Sequence, residues 1–283
     1  VEGTYYMLLH SLELAALENQ SLLMAVSKGD METKNLRGKE FPLNFASDKK
    51  YEMIDFQGFN FRTEKSPVSG DQAVVWENIP IDYKIPYFNS LQPADSAVVP
   101  YAFIVPKAWT GIIEILKMHG IEMEPLRSEK RVRWDTYEFE NARWNAEPFE
   151  GRITVTYDAV PIREERLIHK GDYVIVMNQR NNRVIMHLLE PKSPDSFVQW
   201  GFFNAIFEQK EFGESYTLES LAQSMMQADS TLKRTFDQKI KSDTAFAHSP
   251  FQRLNWFYKR SPYWDPNVNR YPIGKIMNGN DLN

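Results

Sequence analysis

The sequence predicts an α+β protein in which a β-rich central region is followed by a helical C-terminal region. Three observations carry that expectation. The opening segment repeats its apolar residues at helical spacing. From Tyr51 the period changes to two, and after Pro191 the helical spacing returns. The same shifts divide the chain into an N-terminal helix over residues 1–29, a polar connector over 30–50, a β-rich domain over 51–191 and a helical region over 192–283 packed on it.

Within residues 4–26, Tyr5, Leu8, Leu9, Leu12, Ala16 and Leu23 oppose Ser11, Glu18 and Asn19, and Gly29 after Lys28 is a fitting stop. Residues 53–56, 59–61, 73–76, 81–85 and 97–105 are strand candidates separated by proline and glycine turns. Pro106 then opens a helix over residues 107–119, closed by Gly120, and residues 121–126 resume as a strand. Strand, helix and strand in so short a span predict one right-handed crossover with a parallel pair, within a mixed sheet or sandwich. Further strands are expected over 132–140, 152–160, 163–168, 173–177 and 183–189. Helices are expected over 197–212, 218–228, 230–240 and 250–260.

Composition excludes several functions. An apolar fraction of 42% with 25% charged residues belongs to a folded chain. The net charge is −5 and no Lys/Arg run makes a basic stripe, which argues against nucleic acid and anionic membranes. No apolar run is long enough to span a bilayer. The absence of cysteine removes disulfides, thiol nucleophiles and thiolate metal sites, without fixing the compartment. There is no His-Glu-x-x-His, no Gly-x-Ser-x-Gly and no glycine-rich phosphate loop. The chain opens at Val1 with what reads as a helix, as a piece of a longer protein would.

Three constellations could carry chemistry. His10 and Glu13, with His119 about a hundred residues on, have the spacing of a zinc site, which takes three protein ligands and a water. We reject that trio. His10 and Glu13 are (i, i+3) neighbours inside one long helix, and His119 ends another, where an imidazole complements the terminal carbonyls. His169, His187 and His248 have no ligand-type partner nearby in sequence. Glu138, Glu140 and Asp158 could supply a carboxylate pair for glycoside hydrolysis, although strand carboxylates are mostly solvated. Trp200, Phe203, Tyr263 and Trp264 could form an aromatic surface for a peptide or a glycan, or could be core.

Three stretches carry a resemblance. They are residues 101–126, with Val105-Pro106-Lys107-Ala108-Trp109 and Met118-His119-Gly120-Ile121, then the stretch from Gly171-Asp172-Tyr173-Val174 through Leu188-Leu189-Glu190-Pro191 and Asp195-Ser196-Phe197-Val198-Gln199-Trp200-Gly201-Phe202-Phe203, and Ser261-Pro262-Tyr263-Trp264-Asp265. Together they resemble the region that follows the catalytic domain in a mostly bacterial branch of the zinc carboxypeptidase A-like family. The resemblance implies that the opening helix is the trailing end of an upstream peptidase domain. It also implies that the zinc ligands and catalytic residues lie upstream, with none on this chain. The expected role is therefore non-catalytic: the chain packs on or gates the upstream domain, which would hold the zinc and act on a peptide substrate. Export to the periplasm or cell exterior is implied by the resemblance alone.

Overall fold

The computed structural model describes residues 2–282 and bears out the α+β class. The opening segment forms α1 (Glu2–Leu17) and α2 (Asn19–Lys34). Glu18 N donates to Leu14 O and Leu22 N to Glu18 O, so helical hydrogen bonding runs through the junction. The helix passes Gly29 and stops only at Lys34.

The stretch expected to be a polar connector contains β1 (Glu40–Ser47), whose Phe41 and Leu43 are buried in the main core. Next come β2 (Glu52–Lys65), β3 (Gln72–Tyr87) and β4 (Leu91–Val98). β1 pairs with β4 and β2 with β3, both antiparallel, which makes two nested pairs. The result is one long two-stranded ribbon with its tip at the Ser66–Asp71 turn.

The body is a six-stranded sheet. It is built from β5 (Ala102–Val105), β6 (Glu124–Pro125), β7 (Lys130–Trp144), β8 (Val155–Ile168), β9 (Tyr173–Val176) and β10 (Gly274–Ile276) in the order β6-β9-β5-β10-β7-β8. Every neighbouring pair is antiparallel. The expected crossover is therefore only half right. α3 (Thr110–Met118) does connect β5 to β6, but β9 inserts between these strands and pairs with both. They run parallel without touching.

Both faces of the sheet are covered, because neighbouring residues on a strand point to opposite sides. Phe103 and Val105 join α3 and α4 (Asn182–Leu189) in the larger core, while Ala102 and Ile104 join Val132, Trp134 and Ile276 in a smaller one. β8 forms an edge and contains Pro161 opposite Tyr137. Tyr137 spends its carbonyl on Tyr271 N, on the side away from β8. The missing proline N–H therefore falls at the open edge, where no ladder bond is lost.

Two expectations fail because of contacts between distant segments. Residues 183–189 form α4 rather than a strand, since Ile185, Met186 and Leu189 reach one core only at helical spacing. Residues 197–212 form turns and one 3-10 turn (Asn204–Phe207) rather than a helix. Gly201 has φ +73°, and a Cβ there would meet Ile153 O at 2.3 Å. The three helices expected next are present as α5 (Ser215–Ala228), α6 (Ser230–Ser242) and α8 (Pro250–Tyr258), and with a short α7 (Thr244–Ala247) that was not expected they close around Phe236, Phe246, Trp256 and Phe257. Asp229, Asp243 and Ser249 accept backbone N–H groups at three of the helix starts.

Candidate functional site

The most unusual surface is the α1–α2 helix. Among the described residues it is anchored only at its end: Asn182 Nδ2 donates to Thr33 O at 2.9 Å, Arg183 Nε to Thr33 Oγ1 at 3.1 Å, and Arg180 pairs with Asp30 at 3.7 Å. Upstream of that anchor the apolar residues are uncovered. At 100° per residue, Leu8, Leu12 and Leu23 lie along one side and Tyr6, Leu17 and Met24 along another, and all are exposed. Thirteen large apolar side chains from Tyr5 to Met31 face solvent. At roughly 80 Å² apiece they amount to on the order of 1,000 Å², beyond the largest patch of a typical monomer.

The β2–β3 ribbon repeats the theme, since none of its residues is buried. On its proximal half Phe56 and Tyr83 share one face and cover Gly58, while Asp55 and Lys84 pair on the other. Beyond the register shift between Phe59 and Phe61 the polarity of the faces exchanges. Asn60, Arg62 and Glu77 now form the polar cluster, and Phe61 packs on Trp76 with ring centroids 5.5 Å apart.

A cavity of about 430 Å³, within the size range of small-molecule sites, lies between the end of β8, the loop at Pro106–Trp109 and two segments near Ile206 and Val268. Its polar centre is Glu164, which accepts from Arg270 Nη1 at 2.8 Å and Trp134 Nε1 at 3.2 Å. Arg166 stands 3.8 Å from the same carboxylate and donates to Asn267 Oδ1 at 2.7 Å, while Arg270 also lies 3.8 Å from Glu138.

A second charged cluster is structural. Glu190 is fully buried and accepts from Lys275 Nζ at 2.7 Å and Tyr137 Oη at 2.9 Å, and Lys275 also donates to that phenol at 2.9 Å. Burial, then the Glu190 charge, holds the Tyr137 and Tyr271 phenols well above their usual range. Burial also pushes Tyr157 up to about 12.

The candidates read from the sequence do not converge. His10 Nδ1 faces Glu13 at 3.4 Å on an exposed helix, and His119 is the C-cap of α3. Among the described residues no three His, Asp or Glu side chains stand where they could hold a metal ion. Glu140 and Asp158 are exposed register partners, with Asp158 accepting from Asn141 at 2.6 Å, and Glu138 lies beside Arg270 instead. The aromatic quartet is divided. Phe203 is 0% exposed between Trp109 and Tyr271, so it leaves the surface. Trp200 is half-buried against Phe149, Trp264 is half-buried against Tyr258, and Tyr263 is 70% exposed. Sequence reasoning missed the cavity. The Arg163-Glu164-Glu165-Arg166 run puts Glu164 and Arg166 on one face of a strand, but nothing local announces Arg270.

No protein-family model, curated protein or solved structure matches the chain. Fold and surfaces define its class by themselves: an α+β body on a six-stranded antiparallel sheet, carrying a helix and a ribbon that expose apolar surface.

Proposed function

We propose that this chain is the non-catalytic accessory portion of a zinc carboxypeptidase-like protein, docking through α1–α2 on an upstream peptidase domain and packing on or gating it. One observation supports the reading above all: a helix anchored only near Thr33 exposes apolar side chains along more than one side. In water such a surface demands a cover, and a folded domain preceding it in the same polypeptide supplies one at no cost in association entropy. Zinc and peptide substrate belong to that upstream domain, and export belongs to the same proposal.

The test uses this chain joined to a peptidase domain of that family and this chain alone. Leu12→Glu and Leu23→Glu should release the two folded units from each other in limited proteolysis while leaving the melting of this chain unchanged. Stoichiometric zinc on the isolated chain, with release of C-terminal residues from peptides, would overturn the proposal.

A further inference from the structure

Arg166 lines the cavity in an unusual electrostatic position. Its one direct hydrogen bond goes to an uncharged amide, Asn267 Oδ1 at 2.7 Å. The nearest carboxylate, Glu164, is 3.8 Å away and already accepts from Arg270 and Trp134. Two guanidiniums therefore share one carboxylate in direct contact with only one of them. The Arg166 side chain keeps 41% of its surface accessible. Lys210, which lines the same cavity, has no ion-pair partner among the described residues. Trp109, Ile206 and Val268 contribute apolar wall to the same cavity.

We infer that this cavity binds a small carboxylate-bearing ligand with a flat apolar body, the carboxylate on Arg166 and Lys210 and the body against Trp109, Ile206 and Val268. A planar guanidinium matches a carboxylate with two parallel hydrogen bonds, and a partly dehydrated setting strengthens them. The charge is set by the rest of the lining. Glu164, Asp172, Glu208 and Asp265 balance Lys107, Arg166, Lys210 and Arg270 in the lining, so a monoanion suits the cavity better than a dianion such as a phosphate monoester. This site is independent of the docking helix, and either proposal can fail alone.

Calorimetric titration of the full chain with benzoate, benzyl alcohol and phenyl phosphate tests the inference. Benzoate should bind at least about tenfold more tightly than the other two, consistent with a charge-assisted pair. Arg166→Gln should weaken benzoate about tenfold and leave benzyl alcohol unchanged. Should that variant fail to fold, Ala205→Trp, which fills the cavity from an exposed position, should abolish benzoate binding. The inference is overturned by equal affinity for benzoate and benzyl alcohol, by no binding at all, or by tighter binding of phenyl phosphate. Benzoate affinity that survives both substitutions would also overturn it.

Discussion

Gly274 of β10 shows how narrowly single residues are specified here. A Cβ at this position would lie 1.8 Å from the Trp134 ring, so the indole packs directly on the backbone. Gly274→Ala should cost about 3 kcal/mol in chemical denaturation, because neither the central strand nor a tryptophan that is 3% exposed can retreat. The Glu190–Lys275 pair gives a second prediction of this kind. Removing either charge by Glu190→Gln or Lys275→Met leaves the other poorly compensated and should cost about 3–5 kcal/mol. The double replacement Glu190→Gln/Lys275→Met should cost less than the sum of the single changes in a double-mutant cycle. An additive cycle would mean that the two groups do not act as a pair.

At the scale of elements, the α1–α2 helix and the β2–β3 ribbon separate folding from interaction. Leu12 is 70% exposed, so Leu12→Glu should change the stability of the isolated chain by no more than about 0.5 kcal/mol. The same change should lower the binding of an apolar fluorescent dye and reduce self-association in sedimentation. The ribbon invites a related experiment. Replacing Phe61 and Trp76 with Thr keeps β propensity and removes the exposed apolar pair, so the melting of the body should stay unchanged. A cooperative loss of the whole fold would show that the ribbon belongs to the core unit.

For the whole molecule, pH separates two sets of groups. Asp48 and Asp243 are held below their usual 3.8. For Asp48 the main cause is hydrogen bonding from Lys50, and for Asp243 it is the backbone N–H of Phe246 followed by the Lys239 side chain. Their contribution is present above that value and lost as pH falls through the lower folded value. On the alkaline side the raised phenols Tyr137, Tyr157 and Tyr271 act in the opposite sense. Their contribution is complete below 10.0 and disappears as pH climbs through the higher folded values. Phenolate absorbance should therefore rise in two stages, with the buried phenols ionising last and together with loss of circular dichroism. A single stage that runs ahead of unfolding would contradict the burial of these rings.

The local sequence determined what depends on period and punctuation. Helical spacing marked the opening helix, α5, α6 and α8. Alternation marked β2, β3, β7 and β8, and Pro106 with Gly120 bracketed α3. Where two patterns compete over a few residues, only tertiary packing decided. Residues 183–189, expected as a strand, form a helix because Ile185, Met186 and Leu189 pack into one core. Gly201 stopped a helix because Ile153 approaches its backbone from a distant segment. The pairing of β9 between β5 and β6, the cavity formed as Arg270 reaches Glu164, and the burial of Phe203 likewise join residues far apart in the chain. Periodicity records which face of one element is apolar, whereas contact between distant elements is set by how those faces pack, and that information is spread over the whole chain.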